Sequence, residues 1–155
     1  MTRSDPKVEK AKVKQQIDQI VGPMASPNRR RQDWLVNTRR DLSVFVTFSQ
    51  DDPAWFDLNR KDLHSWQSYS RAFVVFVMRD HSEALIIPVP SLAPLLNNHM
   101  LDGGGNFNLH INFRGGRYRF TELPAFDLTP FHNNYTPLLG LSAAALPLLL
   151  KNIVT

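Results

Sequence analysis

The sequence predicts a single α+β domain over residues 1–155, built on a mixed or antiparallel five-stranded sheet flanked by helices. Three observations carry that prediction. Residues 106–121 read Asn-Phe-Asn-Leu-His-Ile-Asn-Phe-Arg-Gly-Gly-Arg-Tyr-Arg-Phe-Thr, two alternating strands about a Gly-Gly pair. That is the pattern of a hairpin whose two-residue turn needs positive φ at both centres. Residues 72–78 form an unbroken apolar run, as expected of a strand covered on both faces. Residues 5–21 place Val13, Ile17, Ile20 and Val21 on one side of a helix.

In chain order, Asp5 or Ser4 caps the first helix, Pro6 suits its first turn, Lys7, Lys10, Lys12 and Lys14 form its polar side, and Gly22-Pro23 stops it. Residues 22–42 are a basic connecting segment rich in Pro, Ser, Asn and Arg, with a short strand around Trp34. Residues 43–49 are β-branched and aromatic, a strand ended by Asp51-Asp52-Pro53. Asn59, with Asp62 three residues on, caps a short helix to about Gln67 that turns Leu63 and Trp66 inward. Strand 72–78 is followed by an antiparallel return over 84–89, where Pro88 marks an edge or bulge. Ser91 caps a short helix to about Asn98, and Asp102-Gly-Gly-Gly105 leads into the hairpin. Residues 123–137, with Pro124, Pro130 and Pro137, read as a wrapping segment. The five strands are expected at 43–49, 72–78, 84–89, 106–113 and 117–122, with helices at 5–21 and near 140–152.

The 138–154 element is strongly apolar, but its length and Pro147 fall short of a membrane span. It is expected to pack on the sheet or to join a second copy in a homo-oligomer. No cysteine is present, which excludes disulfides, thiol catalysis and Cys-ligated zinc. The polar N-terminus has no signal-peptide core, so a cytoplasmic location is expected.

Charge points to a partner. The chain carries a net +4, from 12 Arg and 6 Lys against 14 acids. Arginine favours bidentate phosphate contacts, so the excess leans towards nucleic acid, DNA or RNA. Two basic groups stand out. The first is the arm Arg29, Arg30, Arg31 with Arg39 and Arg40, around Trp34, where phosphate contact and stacking on a base compete with burial of the indole. The second is one face of the hairpin, with Asn112, Arg114, Arg117 and Arg119. Pairing Arg114 with Arg117 across strands weakens a sheet unless an anion uses the pair. His110 shares that face; the five histidines show no zinc-hydrolase spacing, and no metal site is expected.

The acids Asp33, Asp41, Asp51, Asp52 and Asp57 group around strand 43–49, with Lys61 close by in sequence. Carboxylates near a strand end with a lysine are the parts of a Mg²⁺-dependent phosphodiesterase. Asp57-Leu-Asn-Arg-Lys-Asp-Leu63, Phe73-Val-Val-Phe-Val-Met-Arg-Asp80 and Leu85-Ile-Ile-Pro88 resemble the distal half of small restriction-endonuclease-like PD-(D/E)xK proteins. There a helix precedes a strand with an Asp, a Glu-x-Lys strand follows, and a short helix, an apolar strand and an Ile-Pro segment often come after. The resemblance covers residues 43–90. Where Glu-x-Lys would stand this chain reads Val44-Phe-Val-Thr-Phe48, so the resemblance implies a copy that binds without cutting. The leading expectation is a non-catalytic nucleic-acid-binding module on a nuclease-like scaffold, in a mobile-element or defence setting, with no cofactor. One alternative is a divalent-metal endonuclease using Asp41, Asp57 and Lys61, with Mg²⁺. The other is a protein-interaction or oligomerisation subunit using 138–154.

Overall fold

In the computed structural model, which describes residues 5–27, 31 and 33–140, the chain opens with helix α1 (Pro6–Val21). Asp5 caps it by accepting the Lys7 N–H at 2.9 Å. Pro6 fills a first-turn position whose N–H would have no helical partner, and Gly22, at φ 87°, ends the helix by donating to the Asp18 carbonyl. The strands β1 (Met24–Ala25), β2 (Trp34–Asn37), β3 (Leu42–Ser49) and β4 (Ala54–Asn59) follow. After α2 (Arg60–Trp66) come β5 (Arg71–Met78), β6 (Ala84–Pro88), the short α3 (Val89–Leu92) and the hairpin β7 (Asn106–Arg114) and β8 (Arg117–Phe120).

The α+β class and a five-stranded mixed sheet are both present, but the membership of that sheet differs from expectation. The large sheet runs β1-β2-β3-β5-β6, antiparallel except for the β3–β5 pair. The hairpin is not part of it: β7 and β8 join β4 in a separate small sheet, ordered β4-β7-β8. The reason lies in burial. Strands β3 and β5 are buried on both faces, whereas the hairpin alternates and can cover only one. Strand β4 also alternates, with Ala54, Phe56 and Leu58 inward and Trp55 and Asp57 outward. Its flanking Asp-Asp-Pro and the Asn59 cap hid it from the sequence reading. The helix expected from Ser91 begins two residues earlier, at Val89, with Pro88 at its cap position and no side-chain cap.

The layers are α1, the large sheet, then the small sheet with α2. Leu42, Val44 and Val46 of β3 and Phe73, Val75 and Val77 of β5 meet Val13 and Ile17 of α1. On the other side Phe45, Val74, Phe76 and Leu85 meet Phe56, Leu109 and Phe120, with Leu63 and Trp66 of α2 closing the end. Phe76 is the central contact, edge-on to Phe56 at 5.0 Å and to Phe120 at 5.8 Å. Each such fully buried side chain contributes about 1.5–3 kcal/mol. Glu9 fastens α1 to the turn after β5. It is buried, and its Oε2 accepts the His81 N–H at 2.7 Å and meets His81 Nδ1 at 2.7 Å. These bonds, the backbone one first, lower the Glu9 pKa from its ordinary value.

The expected hairpin register is found: Ile111 pairs with Phe120, Asn112 with Arg119, Phe113 with Tyr118 and Arg114 with Arg117. Gly115 and Gly116 sit at φ 60° and 76°, conformations a side chain would strain. Phe113 and Tyr118 stack on one face, their ring centres 4.5 Å apart. Residues 127–129 then run beside β8: the Leu128 N–H donates to the Tyr118 carbonyl at 2.7 Å, and the Tyr118 N–H donates to Thr129 Oγ1 at 2.9 Å. Leu138 is buried on the α1 side, with its carbonyl accepting from Arg71 Nη1 at 2.6 Å. The helix expected near 140–152, and all but the first residues of the 138–154 element, lie outside the described residues. Among the described residues no helix is long and apolar enough to cross a membrane.

Candidate nucleic-acid interface

The small sheet has one face on the core and the other open. Along β7 the outward positions are Asn106, Asn108, His110, Asn112 and Arg114, because successive side chains alternate between faces. Asp57 of β4 stands opposite Asn108, Trp55 opposite His110, Arg119 of β8 opposite Asn112, and Arg117 opposite Arg114. The face therefore runs from an acidic end to a basic end, about 20 Å from Asn108 to Arg114 at strand rise.

Trp55 occupies the middle. It is 47% exposed, and its ring lies nearly parallel to His110, with centres 6.4 Å apart and 22° between planes. His110 is held by Glu122, which accepts its backbone N–H at 2.6 Å and meets Nδ1 at 3.0 Å. Its Nε2 has no partner among the described residues. Asn112 donates to Thr121 Oγ1 at 3.0 Å, leaving its carbonyl oxygen for a ligand. Arg114 and Arg119 form no ion pair among the described residues. Arg117 does: its Nη1 is bonded to Asp127, whose pKa is lowered by the Thr129 hydrogen bonds first and by Arg117 after them. At the acidic end, burial and then the charge of Asp102 push the Asp57 carboxyl up.

The described arm residues, Arg31, Arg39 and Arg40, lie elsewhere. Arg29 and Arg30 fall outside the described residues. Arg31 makes two bonds to Asp62, at 3.1 and 2.7 Å, lies 3.6 Å from Asp33, and stands over the Phe45 ring. The bonds to Asp62 raise its pKa. Asp62 belongs to α2, which starts where β4 ends, so Arg31 and the hairpin tip are at opposite ends of the small sheet. Arg39 and Arg40 are exposed in the turn between β2 and β3, Arg40 at φ 59°. Trp34 is part of the core: its Nε1 donates to Ser43 Oγ at 2.8 Å, and its ring meets Tyr69 edge-on at 6.1 Å.

The acids named for a Mg²⁺ site are dispersed. Asp41, just before β3, accepts from Asn37 Nδ2 at 2.5 Å and lies 3.9 Å from Arg71; the Asn37 bond lowers its pKa. Asp57 is on the small sheet, on β4. Lys61 is exposed on α2. Among the described residues no three of His, Asp and Glu gather closely enough to hold a metal ion. Spread over separate elements, these side chains do not fit Mg²⁺.

Sequence reasoning weighed Trp34 between stacking and burial, and burial is what is found; it passed over Trp55. The signal that marks Trp55 is the two-residue alternation of 54–59, which sets it out of register with Phe56 and Leu58. A polar cleft of about 160 Å³ beside the hairpin was also missed. Three of its groups meet: Glu83 Oε1 accepts from Arg79 at 2.9 Å and from the Tyr118 hydroxyl at 3.2 Å.

Comparison with known proteins gave no match among family models, curated proteins or solved structures.

Proposed function

We propose that this chain is a non-catalytic nucleic-acid-binding module, acting in the cytoplasm, whose small sheet offers its open face to a single strand. The observation that carries this reading is one uncovered face holding an exposed tryptophan together with Asn112, Arg114 and Arg119. An aromatic ring on an open sheet is a platform for an unpaired base, and arginines beside it neutralise phosphates. Outward rows on a strand are about 7 Å apart. A strand lying along β7 with a base on Trp55 therefore meets both arginine rows within about 14 Å.

The order of elements supports the scaffold half of the reading. Helix α1 precedes Asp33 and β2, β3 stands where Glu-x-Lys would be, and α2, the apolar β5 and a β6 ending on Ile87-Pro88 follow. On this view the scaffold supplies shape and charge, in a mobile-element or defence setting.

The test is fluorescence anisotropy with labelled single- and double-stranded DNA and RNA over a range of salt. Trp55→Ala should weaken single-strand binding by about 1–3 kcal/mol, the contribution of one stacked base. The double variant R114A/R119A should weaken binding to all sequences and flatten the salt slope by about 0.7 per arginine. Arg117 is left intact because Asp127 already neutralises it. Wild type that binds no strand at low salt, or both variants binding like wild type, would sink the reading.

A further inference from the structure

Between α1 and the β2–β3 hairpin lies a groove of about 510 Å³ that no part of the reading above uses. Sites for small organic ligands fall between roughly 300 and 1,000 Å³, so this one has the right size. Its rim is cationic: Lys7, Lys10 and Lys14 from α1 and Arg31 from the segment before β2, with Asp33 the one acid in the lining. The floor is apolar, formed by Ala11 of α1 with the nearly fully buried Leu35 of β2 and Val46 of β3.

The lysines are in line because they sit at i, i+3 and i+7, on one side of a helix, spanning about 10 Å at helical rise. Their charges are unequally committed. Lys14 is bonded to Asp18 at 2.6 Å, and Arg31 is held by Asp62 and Asp33. Lys7 and Lys10 have no ion pair among the described residues. α1 packs through Val13 and Ile17, and the lysine row borders that side, with Lys7 exposed and Lys10 and Lys14 half-buried.

We infer that this groove is a nucleotide site, with the base over Ala11 and the edge of Leu35 and Val46 and the phosphates on Lys7 and Lys10, assisted by Lys14. A bare anion uses the rim and leaves the apolar floor idle; a hydrophobic ligand does the reverse. A nucleotide uses both. Arg31, fixed in place by its two acids, is a positioning residue at the end of the rim. The inference stands on a different surface from the small sheet and survives if that reading fails.

Two sources of the nucleotide are separated by the probe. A fluorescent ATP analogue and a 5′-labelled oligo(dT) are titrated into wild type, K7A/K10A, K7R/K10R and R114A/R119A, with inorganic pyrophosphate as competitor. K7A/K10A should bind at least one of the two probes tenfold or more weakly, K7R/K10R should retain binding, and pyrophosphate should displace the probe. Loss for the ATP analogue assigns a free nucleotide; loss for the oligonucleotide alone assigns a strand. R114A/R119A should leave the ATP analogue unaffected, which keeps failure here distinct from failure of the small-sheet reading. Lys7 is exposed and Lys10 half-buried at the edge of α1, and alanine favours helix, so nearly unchanged thermal unfolding is expected. Equal affinity of K7A/K10A and wild type for both probes, or no binding of either by wild type at low salt, would overturn the inference.

Discussion

The two sheets share one core and differ in what their other faces meet. The large sheet has α1 on its far side, so β3 and β5 are apolar almost throughout. Among the described residues no element covers the far side of the small sheet, and there the chain places tryptophan, histidine, asparagine and arginine. The contrast separates two jobs. Residues of the large sheet are answerable to packing, where one methylene is felt. Residues on the open face of the small sheet are free of that demand, so their side chains can vary without cost to the core.

Substitutions can break or sharpen this contrast. The largest effect is expected at the shared layer. Phe76→Ala should cost roughly 3–5 kcal/mol in urea unfolding, because the cavity opens against Phe56 and Phe120 at once. A loss below about 1 kcal/mol would mean that the small sheet does not depend on the large one. Next is a buried polar pair inside the large sheet. Ser43→Ala strands the Trp34 indole N–H and should cost about 1–3 kcal/mol by the same measurement.

A third effect depends on pH. The folded-state pKa of Glu9 is lowered, so its carboxylate contributes stability fully above its ordinary value of 4.5 and loses it as pH falls through the folded value. The stability difference between wild type and Glu9→Gln should hold at neutral pH and shrink in acid. A difference unchanged down to about pH 3 would show that the bonds to His81 do not fasten α1. The smallest effect belongs to the open face: Asn112→Ala should stay within about 0.5 kcal/mol of wild type. A larger loss there would erase the distinction between the sheets.

What could be read from the sequence follows the same division. The run 72–78 is legible because a strand covered on both faces needs apolar residues at every position. The hairpin is legible because Gly115 and Gly116 fix the turn and the alternation fixes the register. Asn59 announces α2 through its cap, where its Oδ1 accepts the Lys61 and Asp62 N–H groups. The partnering of strands was not legible. Nothing local in 106–120 says that β4, some fifty residues earlier, will pair with it, and the Asp-rich flanks of β4 argued for a loop. The candidate site suffered in the same way. Arg114, Arg117 and Arg119 were found because the hairpin places them, but Trp55 joins them through the β4–β7 pairing alone. The Arg117–Asp127 bond likewise depends on where a proline-rich segment comes to rest.

That segment has a consequence for how the protein behaves when crowded with copies of itself. β8 is the last strand of its sheet, and a last strand is a template on which another chain can build. Here the Tyr118 N–H and carbonyl are both taken, by Thr129 and Leu128, so residues 127–129 act as a plug, latched by Arg117 to Asp127. Releasing the latch need not melt anything. Asp127→Ala, folded and nearly as stable as wild type, should nevertheless form oligomers as its concentration rises, because the docking strip it uncovers is backbone, which every copy carries.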